Sequence, residues 1–263
     1  MTHRKTLCFV LPVACLISST ASGQSTPDLL PVTPPTFSRV QIDAALDAGV
    51  DLRKVDTTPG LHTVPLSETW STPEQAREIR KHIDEQRSRG YYSAENDKVP
   101  DLRAAMRAAA NQRRHVPRHG RTFHSLTEIQ DDILVKPIHL GTSALSSARL
   151  LEVRLGGNYL KGKWTGLART FEVADLGLVI LDERDHAASK DSVTVVQEWV
   201  NTDVHGQQGS MRTTRSASGR TLVSVSWENQ RKLYSLELQP LRPEAGEANQ
   251  ARLLEIARKL VEA

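Results

Sequence analysis

Cysteine is nearly absent from this chain of 263 residues, and its two copies, Cys8 and Cys15, both lie near the N-terminus. A fold stapled by disulfides, a thiolate metal site and a cysteine nucleophile therefore have no residues to draw on beyond residue 15. Aromatic residues make up only 5%. No apolar stretch reaches the roughly 20 residues that a helix needs to cross a bilayer core. Charge of one sign is missing too. Removing Arg4 and Lys5 from a formal net charge of +3 leaves +1, because no acid precedes Asp28. A balance so close to neutral excludes a global field that would gather nucleic acid.

The longest apolar run, Leu7 to Ile17, has eleven residues and sits behind His3, Arg4 and Lys5. Small residues follow in Ser19-Thr20-Ala21-Ser22-Gly23. That order of positive, apolar and small segments is the pattern of a secretory signal peptide over residues 1–23. The expectation is a periplasmic or secreted protein whose mature form contains no cysteine. Ala14-Cys15 opens an alternative, a lipid anchor on Cys15, although Pro12 interrupts the apolar segment and the run continues past the cysteine.

Residues 24–70 read as a proline-rich linker with a short helix near Arg39–Leu46. Gln24 to Thr36 carries four prolines and no period, and Thr58-Pro59-Gly60 marks a turn. Residues 71–124 read as a helical, Arg/His-rich region. Pro73 suits a first helical position, Glu74 the positive end of the dipole and Gly90 the stop. A second helix is expected from Asp101 to Arg113.

From residue 125 the period changes. Ser125-Leu126-Thr127-Glu128 matches a capping box. Alternating segments then follow at Leu134–Leu140, Leu150–Leu155, Tyr159–Val173, Gly177–Asp182, Val193–Val200, Gly209–Thr214, Thr221–Trp227 and Lys232–Leu238. A turn at Asn229-Gln230 would pair Glu228 with Arg231 and Val225 with Tyr234. The last segment, Asn249 to Val261, places Leu253, Ile256, Ala257 and Leu260 on one helical face. The predicted fold class is α+β: an N-terminal helical region, then an antiparallel sheet packed against a C-terminal helix over residues 125–263.

Val195 to Ala263 resembles small extracytoplasmic α+β domains of bacterial anti-sigma factors and uncharacterised envelope proteins. The shared features are the Gly-centred turn around Gly206, the strand reaching Trp227, the Tyr234 strand and the helix Leu253 to Leu260. The resemblance implies a sensing or partner-binding module rather than an enzyme. The chain departs from the anti-sigma arrangement in showing neither a cytoplasmic domain nor a spanning helix.

Candidate chemistry is sparse. Leu102 to Thr127 holds six arginines, three histidines and no acid. Arg113, Arg114, Arg118 and Arg121 are the candidate anion-facing patch, set against a reading as a solvated loop. His115 and His119 have metal-pair spacing, but Pro117 between them breaks the helix that would align them. Asp182, Glu183, Asp185 and His186 cluster beside Arg184 in what reads as a solvated hairpin end. No serine occupies a nucleophile elbow. The residues thus give no catalytic, cofactor or metal site. The expected partner is an envelope protein or an anionic envelope component, not nucleic acid. Two other roles remain open: a hydrolase whose residues converge only in space, and an immunity protein against a secreted toxin.

Overall fold

The computed structural model describes residues 59–69, 73–111 and 122–262. The leader with Cys15, most of the linker, His115, His119 and the four patch arginines Arg113, Arg114, Arg118 and Arg121 lie outside the described residues.

The protein is a mixed α/β molecule built on one large mixed sheet. Its strands are β1 (Gly60–Val64), β2 (Tyr92–Ala94), β3 (Thr122–Phe123), β4 (Arg149–Leu160), β5 (Lys163–Val173), β6 (Gly177–Asp185), β7 (Ser192–Val196), β8 (Thr202–Val204), β9 (Gln207–Ser216), β10 (Thr221–Glu228) and β11 (Lys232–Pro240). The sheet runs β2-β9-β10-β11-β6-β5-β4-β3, with β8 also on β9, while β1 and β7 form a separate two-stranded ribbon. The expected all-antiparallel sheet needs correction. β2 runs parallel to β9, and β1 runs parallel to β7. The helical reading of residues 71–124 accounts for α1 (Pro73–Arg89) and α2 (Leu102–Asn111). It leaves out β2 and β3, which join the sheet, and the loop expected before residue 69 contains β1.

Alternation decides the two faces. Phe171, Val173, Val179, Leu181, Met211, Val223, Val225, Trp227, Tyr234, Leu236 and Leu238 share the inner face with the helix α4 (Gly246–Lys259), whose Leu253, Ile256 and Ala257 are buried against them. Trp227 and Tyr234 are directly paired across strands and stack with ring centroids 5.2 Å apart. On the outer face, Leu102 of α2 and nearby Val99 cover Leu178, Ile180 and Leu222.

Two connections depart from expectation. Leu134–Leu140 forms no strand; it crosses the inner face as a strap with a single bridge near each end, from Ile133 to Trp164 of β5 and from His139 to Val261 beyond α4. Pro137 cannot donate to a ladder, and side chains hold the strap instead. The segment Tyr159–Val173 is broken at Lys161-Gly162, where both residues have positive φ (51° and 84°) and turn β4 into β5.

Candidate functional site

One end of the sheet gathers most of the chemistry. Register places the β4–β5 turn, the end of β6, the short helix α3 (His186–Ser189) and the β10–β11 turn together there, since Gly166 pairs with Arg184 and Asp185 with Lys232. A cavity of about 540 Å³ opens at this end, lined by Lys136, Gln207, Asn229, Gln230, Arg231, Lys232 and Glu262. Three cations and three amide side chains thus face a single carboxylate.

The β10–β11 turn positions four of these residues. Asn229 Oδ1 accepts from the backbone N–H groups of Arg231 and Lys232, at 2.8 and 2.6 Å. This asparagine turn fixes Gln230 and Arg231 at the tip. Asn229 Nδ2 also donates to Glu262, tying the turn to the end of the chain. Lys232 is only 7% exposed, and its ammonium donates to the Lys136 carbonyl at 2.6 Å. Burial lowers its pKa, although the charges of Glu183, Asp185 and Glu262 oppose that shift.

The inner face of β5 and β6 carries a buried ion pair. Arg169 Nη2 donates to Glu183 Oε1 at 2.7 Å and to the Ile138 carbonyl at 3.0 Å, while the Ile138 N–H donates to Glu183 Oε2 at 2.6 Å. The pair clamps the strap to the inner face. Burial pushes the Glu183 carboxyl above its ordinary value against the pull of Arg169. Asp185 caps α3 by accepting the Ala188 N–H at 2.8 Å, and its other oxygen accepts from Arg231 at 3.0 Å. His186 bonds to the Asn229 carbonyl at 3.0 Å. The cluster expected on a solvated hairpin end is therefore partly wrong in its setting. Glu183, Asp185 and His186 are buried, because β6 runs three residues past Asp182 and pairs with β11 to its end. Their hydrogen bonds hold the strap, α3 and the turn. Sequence gave Arg169, Lys232 and Lys136 no distinction, since a lone basic residue in a strand carries no local signal.

The outer face carries a second polar group. Ser226 lies directly across from Ser235, with Glu237 two residues further along β11 and Arg212 across from Ser224. Among the described residues, Ser226 Oγ, Ser235 Oγ, Glu237 Oε1 and Arg212 Nε are buried without a hydrogen-bond partner. Burial raises Glu237 to about 7, helped by the Asp182 charge and opposed by Arg212, Arg184 and Arg154. Burial likewise raises Glu228 to about 7.

The described residues contain no group of three or more His, Cys, Asp or Glu side chains placed to hold a metal ion. None of their helices is long and apolar enough to cross a membrane.

Fold and site together define a mixed-sheet protein with a cationic cavity at one end of the sheet. No family model matches the chain, and no curated protein matches it. Among solved structures it is similar to a GTP-binding regulator from Thermotoga maritima, at 16% identity and a TM-score of 0.24, over 45% of this chain and 82% of that one. A likeness of that size carries no argument about fold or function.

Proposed function

We propose that the protein is an exported, non-enzymatic binding module of the bacterial envelope, and that its partner presents an anionic group to the cavity at the β10–β11 turn. The observation that carries this reading is the cavity lining, in which Lys136, Arg231 and Lys232 stand with three amides against Glu262. Cations beside amide donors suit a phosphate or carboxylate, since charge-assisted hydrogen bonds exceed neutral ones in strength. The internal bonding of Glu183, Asp185 and His186 supports binding over catalysis: each already serves the local structure. The signal-peptide pattern of residues 1–23 supports the envelope address, and the patch of Arg113, Arg114, Arg118 and Arg121 would add to attraction for an anionic partner.

Two variants test the reading by sedimentation with envelope fragments and by titration with inorganic phosphate. Lys136→Gln with Arg231→Gln should weaken both roughly tenfold, and raised salt should weaken wild-type binding as exposed charges are screened. Replacing the four patch arginines with glutamine should weaken sedimentation while leaving phosphate titration unchanged. Equal binding by wild type and the cavity variant overturns the assignment of the cavity.

A further inference from the structure

The β4–β5 hairpin ends in Tyr159-Leu160-Lys161-Gly162-Lys163-Trp164. Leu160 pairs with Lys163 across a two-residue turn, and the positive φ of Lys161 and Gly162 is the geometry whose twist matches the flanking strands. Below the tip the register shifts between Gly156 and Tyr159. Gly157 makes that bulge with φ +71°, and a Cβ there would meet Thr165 Oγ1 at 2.6 Å. Asn158 is held at the bulge: its Nδ2 donates to Asp191 at 3.0 and 3.2 Å, and its N–H donates to Thr165 Oγ1 at 2.8 Å. The tip is thus a braced element with a defined shape.

This braced tip displays apolar surface. Tyr159 and Trp164 are cross-strand partners with ring centroids 5.2 Å apart. Tyr159 is 51% exposed, and Leu134, whose N–H donates to the Trp164 carbonyl at 2.7 Å, is 40% exposed. These are two of the four large hydrophobic residues that stand exposed among the described residues. Lys161 sits on the turn itself and half-buried Lys163 opens β5 beside it, Lys136 lies two residues beyond Leu134, and Lys190 follows α3 at the same end of the sheet. The nearby acids are Asp131 and Asp132 ahead of the strap, and Asp191, which Asn158 engages.

We propose that this hairpin tip seats on an anionic bilayer surface, with Tyr159 and Trp164 at headgroup level and the lysines against lipid phosphates. Tyrosine and tryptophan suit that boundary because each joins an apolar ring to a polar edge. Cations next to the rings supply attraction that a neutral surface does not return. The contact is small, so attachment is reversible and sensitive to salt. Apart from Lys136, which lines the cavity as well, the surface is carried by residues that the cavity does not use.

Sedimentation with phosphatidylcholine vesicles, with and without phosphatidylglycerol, tests it. Wild type should bind the anionic vesicles and lose binding as salt rises. Lys161→Gln with Lys163→Gln should weaken binding roughly 25-fold, about fivefold per lysine. Tyr159→Ser should weaken it while keeping the salt dependence. Lys136→Gln alone should weaken it modestly, whereas Arg231→Gln should leave it unchanged, which separates this surface from the cavity. Amide exchange at residues 158–164 should slow when anionic vesicles are added, a local readout that the apolar N-terminal run does not supply. Melting curves matching wild type confirm that the exposed-turn variants fold. Sedimentation of the double lysine variant equal to wild type, or exchange protection confined to other segments, overturns the proposal.

Discussion

Arg169 and Glu183 are 3% and 0% exposed, so each depends on the other for its charge. Removing one partner strands the second in a low-dielectric interior, which costs about 3–5 kcal/mol. We expect Glu183→Ala to destabilise by that amount in urea unfolding. The double change Arg169→Met with Glu183→Met should recover part of the loss, because no charge is left buried. It should not recover all, since the Ile138 N–H and carbonyl lose their partners, and a buried unsatisfied backbone group costs about 1–3 kcal/mol. A double variant no more stable than the single one would show that the pair does not act as a unit. These residues were the least legible in the sequence. Acid and base neighbours such as Asp182, Glu183, Arg184 and Asp185 read as a solvated turn when nothing shows that a distant arginine and a crossing strap will cover one of them. Glu183 and Asp185 fall on the inner face only because the strand keeps alternating past Leu181.

At the scale of elements, patterning was legible where a segment alternates or repeats over its full length. Pro73 and Gly90 bracket α1, and the stripe of Leu253, Ile256, Ala257 and Leu260 marks the side of α4 that is buried. The β10–β11 hairpin shows the limit. Its pairing aligns Val225 with Leu236 and Trp227 with Tyr234, two residues away from the pairing expected from a turn at Asn229-Gln230. Side chains repeat every two residues, so a slip of two leaves the same residues on the same face. Hydrophobic pattern therefore fixes the face, while the Asn229 side-chain turn fixes the register. The strap escaped because its alternation satisfies a face without a ladder. For α4 we expect Leu253→Ala to cost about 2–5 kcal/mol, as large-to-small changes in a full core do, measured by denaturant unfolding. Leu254 offers the contrast: because it is only partly buried beside the core, Leu254→Ala should cost less. Equal, small losses at both positions would mean that α4 packs loosely. Gly157→Ala at the bulge should also destabilise, by roughly 1–3 kcal/mol for a strained positive φ, and reversal by a nearby Thr165→Ala would trace part of that to the crowded Thr165 hydroxyl.

At the scale of the whole molecule, both faces of the sheet bury carboxyls, Glu183 and Asp185 on the inner face and Glu228 and Glu237 on the outer, and this shapes stability against pH. Glu228 and Glu237 both rise from an ordinary 4.5 to about 7 through burial. A group whose pKa is raised in the folded state holds its proton there while the unfolded chain has already lost it. Between about 4.5 and 7 the unfolded state is therefore favoured progressively, and stability falls as pH rises, by about 1.4 kcal/mol per unit for each fully coupled carboxyl. Glu183 and Asp191, also raised by burial, add in the same direction. His82, lowered by burial, opposes below its ordinary 6.5, as do Glu85, Glu172 and Glu255, whose pKa values are held down by hydrogen bonds to Ser93, to Arg149 and Arg103, and to Lys259. Glu255 is exposed and Glu85 and Glu172 are half-buried at the surface, where solvent screens them, so their effect is confined to more acidic solution and is small. The net expectation is a melting temperature higher near pH 5 than near pH 7.5. Glu228→Gln with Glu237→Gln should flatten the curve between those values and raise stability at pH 7.5, because glutamine has no proton to lose. A wild-type profile that is flat or rises across this range, or one that the double variant leaves unchanged, would show that water reaches both carboxyls and that the outer face is open at their positions.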